Sequence, residues 1–216
     1  MKQFEQLSEE DIIDRISKGE KPLYELIVRR FNSCLYKVGR SYNFNHEDTQ
    51  DLMQDTYIAA FKSIVKFERR SSFKTWIIRI MLNNCYRKKM KSSFKNEFAN
   101  GTENENVTPM FTYSNNDVQK QVYNHELRHI IESSLLRLPE DYRMVFSLRE
   151  MNGFNVAETA SLLGISEPNV KTRLSRAKVM LRTEIEKNYS ASELFEFNLI
   201  YCDAMVENVM NKINEL

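Results

Sequence analysis

Glycine and proline are scarce, five and four residues in a chain of 216, and this argues against a fold of many short strands joined by tight turns. Cysteine is scarcer still. Cys34, Cys85 and Cys202 are far apart, odd in number and nowhere spaced C-x-x-C, so neither a disulfide framework nor a cysteine zinc site is indicated, and a reducing cytoplasm is the expected location. No stretch approaches the roughly 18 consecutive apolar residues of a membrane span, and the opening "MKQFEQLSEE" lacks the apolar core of a signal peptide. No membrane insertion is expected. What remains is an ordinary balance of 42% hydrophobic and 28% charged residues, enough for one large or two small helical domains with real cores.

Histidine is also rare, yet two of the three histidines fall in "NHELRH", where His125, Glu126 and His129 spell the H-E-x-x-H of a zinc-peptidase helix. Such a site needs a third protein ligand and an open position for water. Ile130 to Leu136 supplies neither the glycine nor the third histidine of the extended pattern, which leaves Glu150 or Glu158 as imaginable ligands. No convincing strand is present to hold a peptide substrate. The competing reading is an amphipathic helix whose Leu127, Ile130, Ile131 and Leu135 face a core.

The net charge of +1 conceals a segregation of sign. Between Lys66 and Lys95 there are ten basic residues against the single acid Glu68, and between Lys171 and Arg182 five against none. Acids gather at Glu47, Asp48, Asp51 and Asp55, in the middle of the chain and after Glu193. Two separate basic surfaces are the footprint of a protein that grips a polyanion at two places.

Apolar residues recur at three- and four-residue steps in "PLYELIVRRFNSCLYKVGRSY", "EDTQDLMQDTYIAAFKSIVKF" and "SFKTWIIRIMLNNCYRKKMK", and again from "HELRH" to "SRAKVMLRTEI". That is the period of amphipathic helices, so the expected fold is all-α. Periodicity fails over "SSFKNEFANGTENENVTPMFTYSNN", a stretch rich in Ser, Asn, Thr and Glu with Gly101 and Pro109 as breakers. The expected organisation is an upstream domain over 1–91, a flexible linker over 92–118, a helical domain over 119–188 and a C-terminal helical extension over 189–216. A linker of this length has a root-mean-square span of roughly 25 to 30 Å and reaches about 80 Å when drawn out, which would let the halves sit far apart on one partner.

"NVAETASLLGISEPNVKTRLSRAK" reads as a helix-turn-helix. Ala160 allows the helices to approach, Gly164 suits the left-handed residue that ends the first, Ser166 is an N-cap, and Pro168 is tolerated in the first turn of the second. Val170, Leu174, Ala177 and Leu181 form the expected buried stripe. Asn169, Lys171, Thr172, Arg173, Ser175, Arg176 and Lys178 are left on the outer face, with donors for phosphates and for base edges in a major groove. Without DNA, the same face is simply a solvated basic surface.

Upstream, Leu52, Thr56, Ala59 and Ala60 point one way, leaving Asp51, Gln54, Asp55 and Ile58 as an outer patch. Carboxylates in the first turns of a helix favour its dipole, which is the bland explanation. An exposed isoleucine among acids points instead to docking of a basic protein. Beyond it, Phe67, Ser72, Phe73, Lys74, Asn83, Arg87 and Lys88 mix aromatic, polar and cationic groups suited to single-stranded nucleic acid, where bases stack and phosphates pair. Trp76, Ile77 and Ile80 are expected in the core, with Phe67 and Phe73 bordering a pocket.

Taken together, these segments resemble the bacterial sigma-70 family of RNA polymerase sigma factors, in the extracytoplasmic-function (ECF) type that keeps only the second and fourth sigma domains. "DLMQDTYIAAF" is similar to its clamp-docking helix, "SFKTWIIRIMLNN" to its promoter-melting segment, and "LPEDYRMVFSLREMNGFNVAETASLLGISEPNVKTRLSRAK" to its −35-reading domain. The resemblance covers about 21–91 and 119–187, with one departure: the family usually has aspartate where this chain has Arg87. It implies a transcription initiation factor rather than an enzyme, without catalytic residues, metal or cofactor. Its implied partners are core RNA polymerase, through the clamp of the beta-prime subunit and the beta flap, promoter DNA and an anti-sigma protein. It further implies polymerase docking by Asp51, Gln54, Asp55 and Ile58, −10 reading by the mixed upstream group, and −35 reading by the outer face after Pro168. The alternatives are a stand-alone helix-turn-helix regulator and a zinc metallopeptidase.

Overall fold

The computed structural model describes residues 7–96, 130–188, 205–206 and 209–213. All regular structure among them is helical. The elements are α1 (Glu9–Ser17), α2 (Tyr24–Ser41), α3 (His46–Ser63), α4 (Phe73–Asn96), α5 (130–137), α6 (Glu140–Phe146), α7 (Val156–Leu163) and α8 (Glu167–Asn188). Short 3-10 turns at Lys21–Leu23 and Ile64–Lys66 precede α2 and extend α3, and a π-helical turn at Ser147–Met151 extends α6.

Side-chain caps start four of the helices. Ser8 caps α1 by accepting the Asp11 N–H at 3.1 Å, Asn45 caps α3 through the Asp48 N–H at 2.8 Å, and the Ser72 hydroxyl takes the Thr75 N–H at 3.1 Å at the head of α4. Asn155 and Glu158 form a reciprocal capping box on α7. α7 ends at Gly164, whose φ of 65° is the left-handed conformation expected of it.

In the upstream half, α2, α3 and α4 bury Ile27, Phe31, Leu35, Val38, Leu52, Ala60, Ile77, Ile78 and Met81 against one another. α2 and α3 meet closely at Gly39, where a Cβ would lie 2.6 Å from Thr49 Cγ2 and 3.0 Å from Met81 Cε. No larger residue fits there without displacing a neighbour. α1, unforeseen from the sequence, closes this core with Ile12, Ile13 and Ile16.

In the downstream half, Val145, Ala160 and Val170 form a small core lined by Val156, Leu163, Ile165 and Leu174. The larger cluster, however, crosses the chain: Met144, Leu148 and Phe154 are buried in the same apolar mass as the upstream helices. The halves are therefore packed together, contrary to the separation the linker length would permit. Polar contacts reinforce the packing. Arg40 of α2 and Glu132 of α5 form an ion pair at 2.9 Å with side chains only 5% and 1% exposed. The Arg143 guanidinium donates to the Ser41 carbonyl at 2.6 Å and to the carbonyls of Leu136 and Leu138 at 2.7 and 2.8 Å, and the Lys37 ammonium donates to the Met151 carbonyl at 3.1 Å.

α4 runs on to Asn96, past the expected domain edge at 91. The rest of the linker and the "HELRH" motif lie outside the described residues. So does most of the extension, of which 205–206 and 209–213 are helical, with Met205, Val206, Val209, Met210 and Ile213 exposed.

Candidate nucleic-acid interfaces

The acidic patch is placed as its spacing requires. Leu52, Thr56 and Ala60 are buried, and Asp51, Gln54, Asp55 and Ile58 are exposed on the opposite side of α3, with Ile58 at 45%. The buried side is held by Thr56, whose hydroxyl donates to Leu52 O at 2.7 Å and accepts from the Asn84 amide at 3.1 Å, and by Tyr57, whose hydroxyl donates to the Val28 carbonyl at 3.0 Å.

The basic upstream group divides into three. Phe73 is a correction: at 1% exposure it is core, wedged against Phe31, Phe67 and Trp76 with ring centroids 5.2–5.6 Å apart. A ring so placed holds its neighbours and cannot stack on a base. Phe67 and Trp76 are half-buried, while Ser72, Asn83 and Arg87 are exposed. The remaining cations are engaged: Lys88 pairs with Asp48, and Lys74 lies 4.7 Å from the centre of the Phe154 ring while donating to the Asn152 carbonyl.

Between the halves lies a pocket of about 520 Å³. Arg70, Ser71, Ser72, Thr75, Trp76 and Arg79 line it from upstream, and Ala157, Glu158 and Ser161 of α7 from downstream. Arg79 reaches across to the Ser161 hydroxyl at 2.9 Å. Of these, only Ser72 was singled out from sequence as a DNA-binding residue, Trp76 having been expected in the core and Glu158 weighed as a metal ligand. The signal for Arg70 and Ser71 was their adjacency to Ser72 in a loop before an N-cap; nothing local marked Ser161.

On α8, Val170 and Ala177 are fully buried and Leu174 and Leu181 partly so, while Asn169, Lys171, Thr172, Ser175, Arg176 and Lys178 are exposed. The expected outer face therefore exists, but two of its cations are tied within the domain. Arg173, partly buried, pairs with Asp141 at 3.1 Å and Lys178 with Glu150 at 3.0 Å. Those contacts also bear on the peptidase reading, because Glu150 is engaged with Lys178 and Glu158 with its own helix cap. Among the described residues no three potential metal ligands cluster. The buried Cys85 thiol is pushed up to about 12 by desolvation, so it is a poor nucleophile or ligand.

Comparison with known proteins fits this geometry. Residues 27–94 match the family profile described as Sigma-70 region 2, and residues 128–181 match Sigma-70, region 4. The ECF RNA polymerase sigma-E factor of Haemophilus influenzae is 26% identical over 185 residues, covering 84% of this chain and 97% of the relative. That of Escherichia coli is 25% identical over 191 residues, covering 84% and 96%. Among solved structures, the sigma factor RpoE of Bartonella quintana, in complex with the anti-sigma factor NepR, shares the fold with a TM-score of 0.62 at 23% identity, over 76% of this chain and 96% of that one. Matching both regions in order over more than half its length, the chain belongs to the sigma-70 family, as a sigma factor of the ECF type that directs RNA polymerase to promoters.

Proposed function

We propose that the labour is divided among three surfaces. Asp51, Gln54, Asp55 and Ile58 dock on the clamp of the polymerase beta-prime subunit. The loop and helix from Phe67 through Ser72, Lys74, Asn83, Arg87 and Lys88 capture unpaired −10 bases. The outer face of α8, from Asn169 to Lys178, reads the −35 duplex, with the downstream domain seated on the beta flap. Residues 1–91 and 119–188 act as the two domains and 92–118 as their linker. An anti-sigma protein is a further partner, as for the Bartonella quintana relative, and the site of action is the cytoplasm. Sigma factors are not known as enzymes, and this reading assigns no catalytic residue. Binding energy is converted into strand opening because each captured base offsets the cost of unpairing it.

The exposed acidic stripe of α3, with Ile58 uncovered on a helix whose other side is fully packed, carries this reading. A regulator that binds duplex DNA alone has no use for it. The experiment is reconstitution with core enzyme: the purified chain should associate with core RNA polymerase and select promoter fragments from a library randomised at both elements. Specific duplex binding without core enzyme, and no association with it, would favour the stand-alone regulator.

A further inference from the structure

Residues 67–72 join the turn at Ile64–Lys66 to α4 without regular structure and present Arg70, Ser71 and Ser72 to the pocket. This loop is not relaxed. Arg69 has φ of 57°, a left-handed conformation that costs a side-chain-bearing residue energy unless its surroundings impose it. The surroundings that do so belong to α1. The Arg69 guanidinium donates to the Asp14 carboxylate of that helix. α1 is in turn anchored. Ile12, Ile13 and Ile16 seat it in the core, and the Arg30 guanidinium holds the Leu7 carbonyl at 2.7 Å just ahead of its first turn.

We propose that α1 is a template for the base-reading loop, with Asp14 as the positioning residue that holds Arg69 and so sets where Arg70, Ser71 and Ser72 meet the unpaired strand. The proposal rests on the reading of this loop as part of −10 capture. Asp14 would not touch DNA, since repulsion from phosphate would oppose contact; it acts through the loop.

The test uses the full chain with core enzyme, on a promoter fragment that the wild-type holoenzyme has selected, as intact duplex and with a mismatched −10 bubble. Asp14 and Arg69 are about half exposed, at 51% and 46%, so substitutions there are tolerated by the fold. Asp14→Arg should slow open-complex formation on the duplex by about fivefold, and Asp14→Arg combined with Arg69→Asp should restore it to within about twofold, a coupling within the range of contacting pairs. Core affinity and −35 binding should be unchanged throughout. A loss that the swapped pair does not rescue, or one accompanied by weaker core binding, would mean that α1 only stabilises the domain. Normal opening by Asp14→Arg, alongside slow opening by Arg70→Ala with Ser72→Ala, would overturn the template while leaving base capture intact. Normal opening by that loop double variant would show that base capture itself had been misassigned.

Discussion

In the upstream half, Lys74 is engaged by Asn152 and Phe154, and Arg79 by Ser161, all from the downstream domain. In the downstream half, Asn169, Lys171, Thr172, Ser175 and Arg176 stand on the open side of α8, away from this contact. One of the two proposed reading surfaces thus doubles as the contact between domains, and the other does not. In this arrangement the proposed −35 face is open, whereas the pocket beside the proposed −10 group is lined in part by α7. If a single strand enters only when the halves separate, apparent affinity for −10 DNA would be reduced by the fraction of chains that have done so. If Lys74 contacts DNA as proposed, phosphate would compete with domain packing for it.

The largest effect should follow from breaking the buried ion pair. Glu132→Ala removes a carboxylate from the Arg40 guanidinium in a site almost closed to water, a change that typically costs about 3–5 kcal/mol. The expected outcomes are an increased radius of gyration in solution scattering and tighter binding of single-stranded DNA by the free chain. An unchanged radius would show that Phe154 and Met144 hold the halves together without the pair.

The open downstream face is tested by Arg176→Ala. Loss of a bidentate base contact should cost about 1–3 kcal/mol on the selected −35 duplex and relax preference at one base pair. Equal weakening on all sequences would make Arg176 a phosphate contact. The acidic patch lies outside both DNA surfaces. Reversing Asp51 and Asp55 to lysine should weaken core polymerase association by about tenfold, or 1.4 kcal/mol, with normal helicity by circular dichroism. Unaltered association would remove the docking role from α3.

Features set by local rules could be read from the sequence. The helix-turn-helix was visible because Gly164, Pro168 and the Val170–Ala177 stripe each depend on neighbours within a few positions, and the exposed patch on α3 because period alone fixes which side is buried. Phe73 shows the limit: an aromatic residue at the head of a basic helix looks like a base platform until Phe31, from another helix, is seen against it. Arg40 and Glu132 are 92 residues apart, each in an amphipathic segment where a charge is expected in water, so no pattern could announce their pairing. α1 offered only the three isoleucines of a short, half-charged stretch, and its importance comes from Arg69, far along the chain.

The smallest effect separates cations within the open half. Lys171 is exposed on α8 with no ion pair to any described residue, whereas Lys178 is held 3.0 Å from Glu150. An unengaged lysine can move to a phosphate and release a counterion, while an engaged one must first exchange its carboxylate partner. Lys171→Ala should therefore weaken duplex binding uniformly across sequences and reduce the slope of log affinity against log salt by about one. Lys178→Ala should change that slope less, because the charge removed was already partly neutralised. Binding isotherms of the holoenzyme on the selected −35 duplex across a salt series measure both slopes. Equal reductions would show that Lys178 leaves Glu150 on contact with DNA, and that the ion pairs on this face place no restraint on how it grips the backbone.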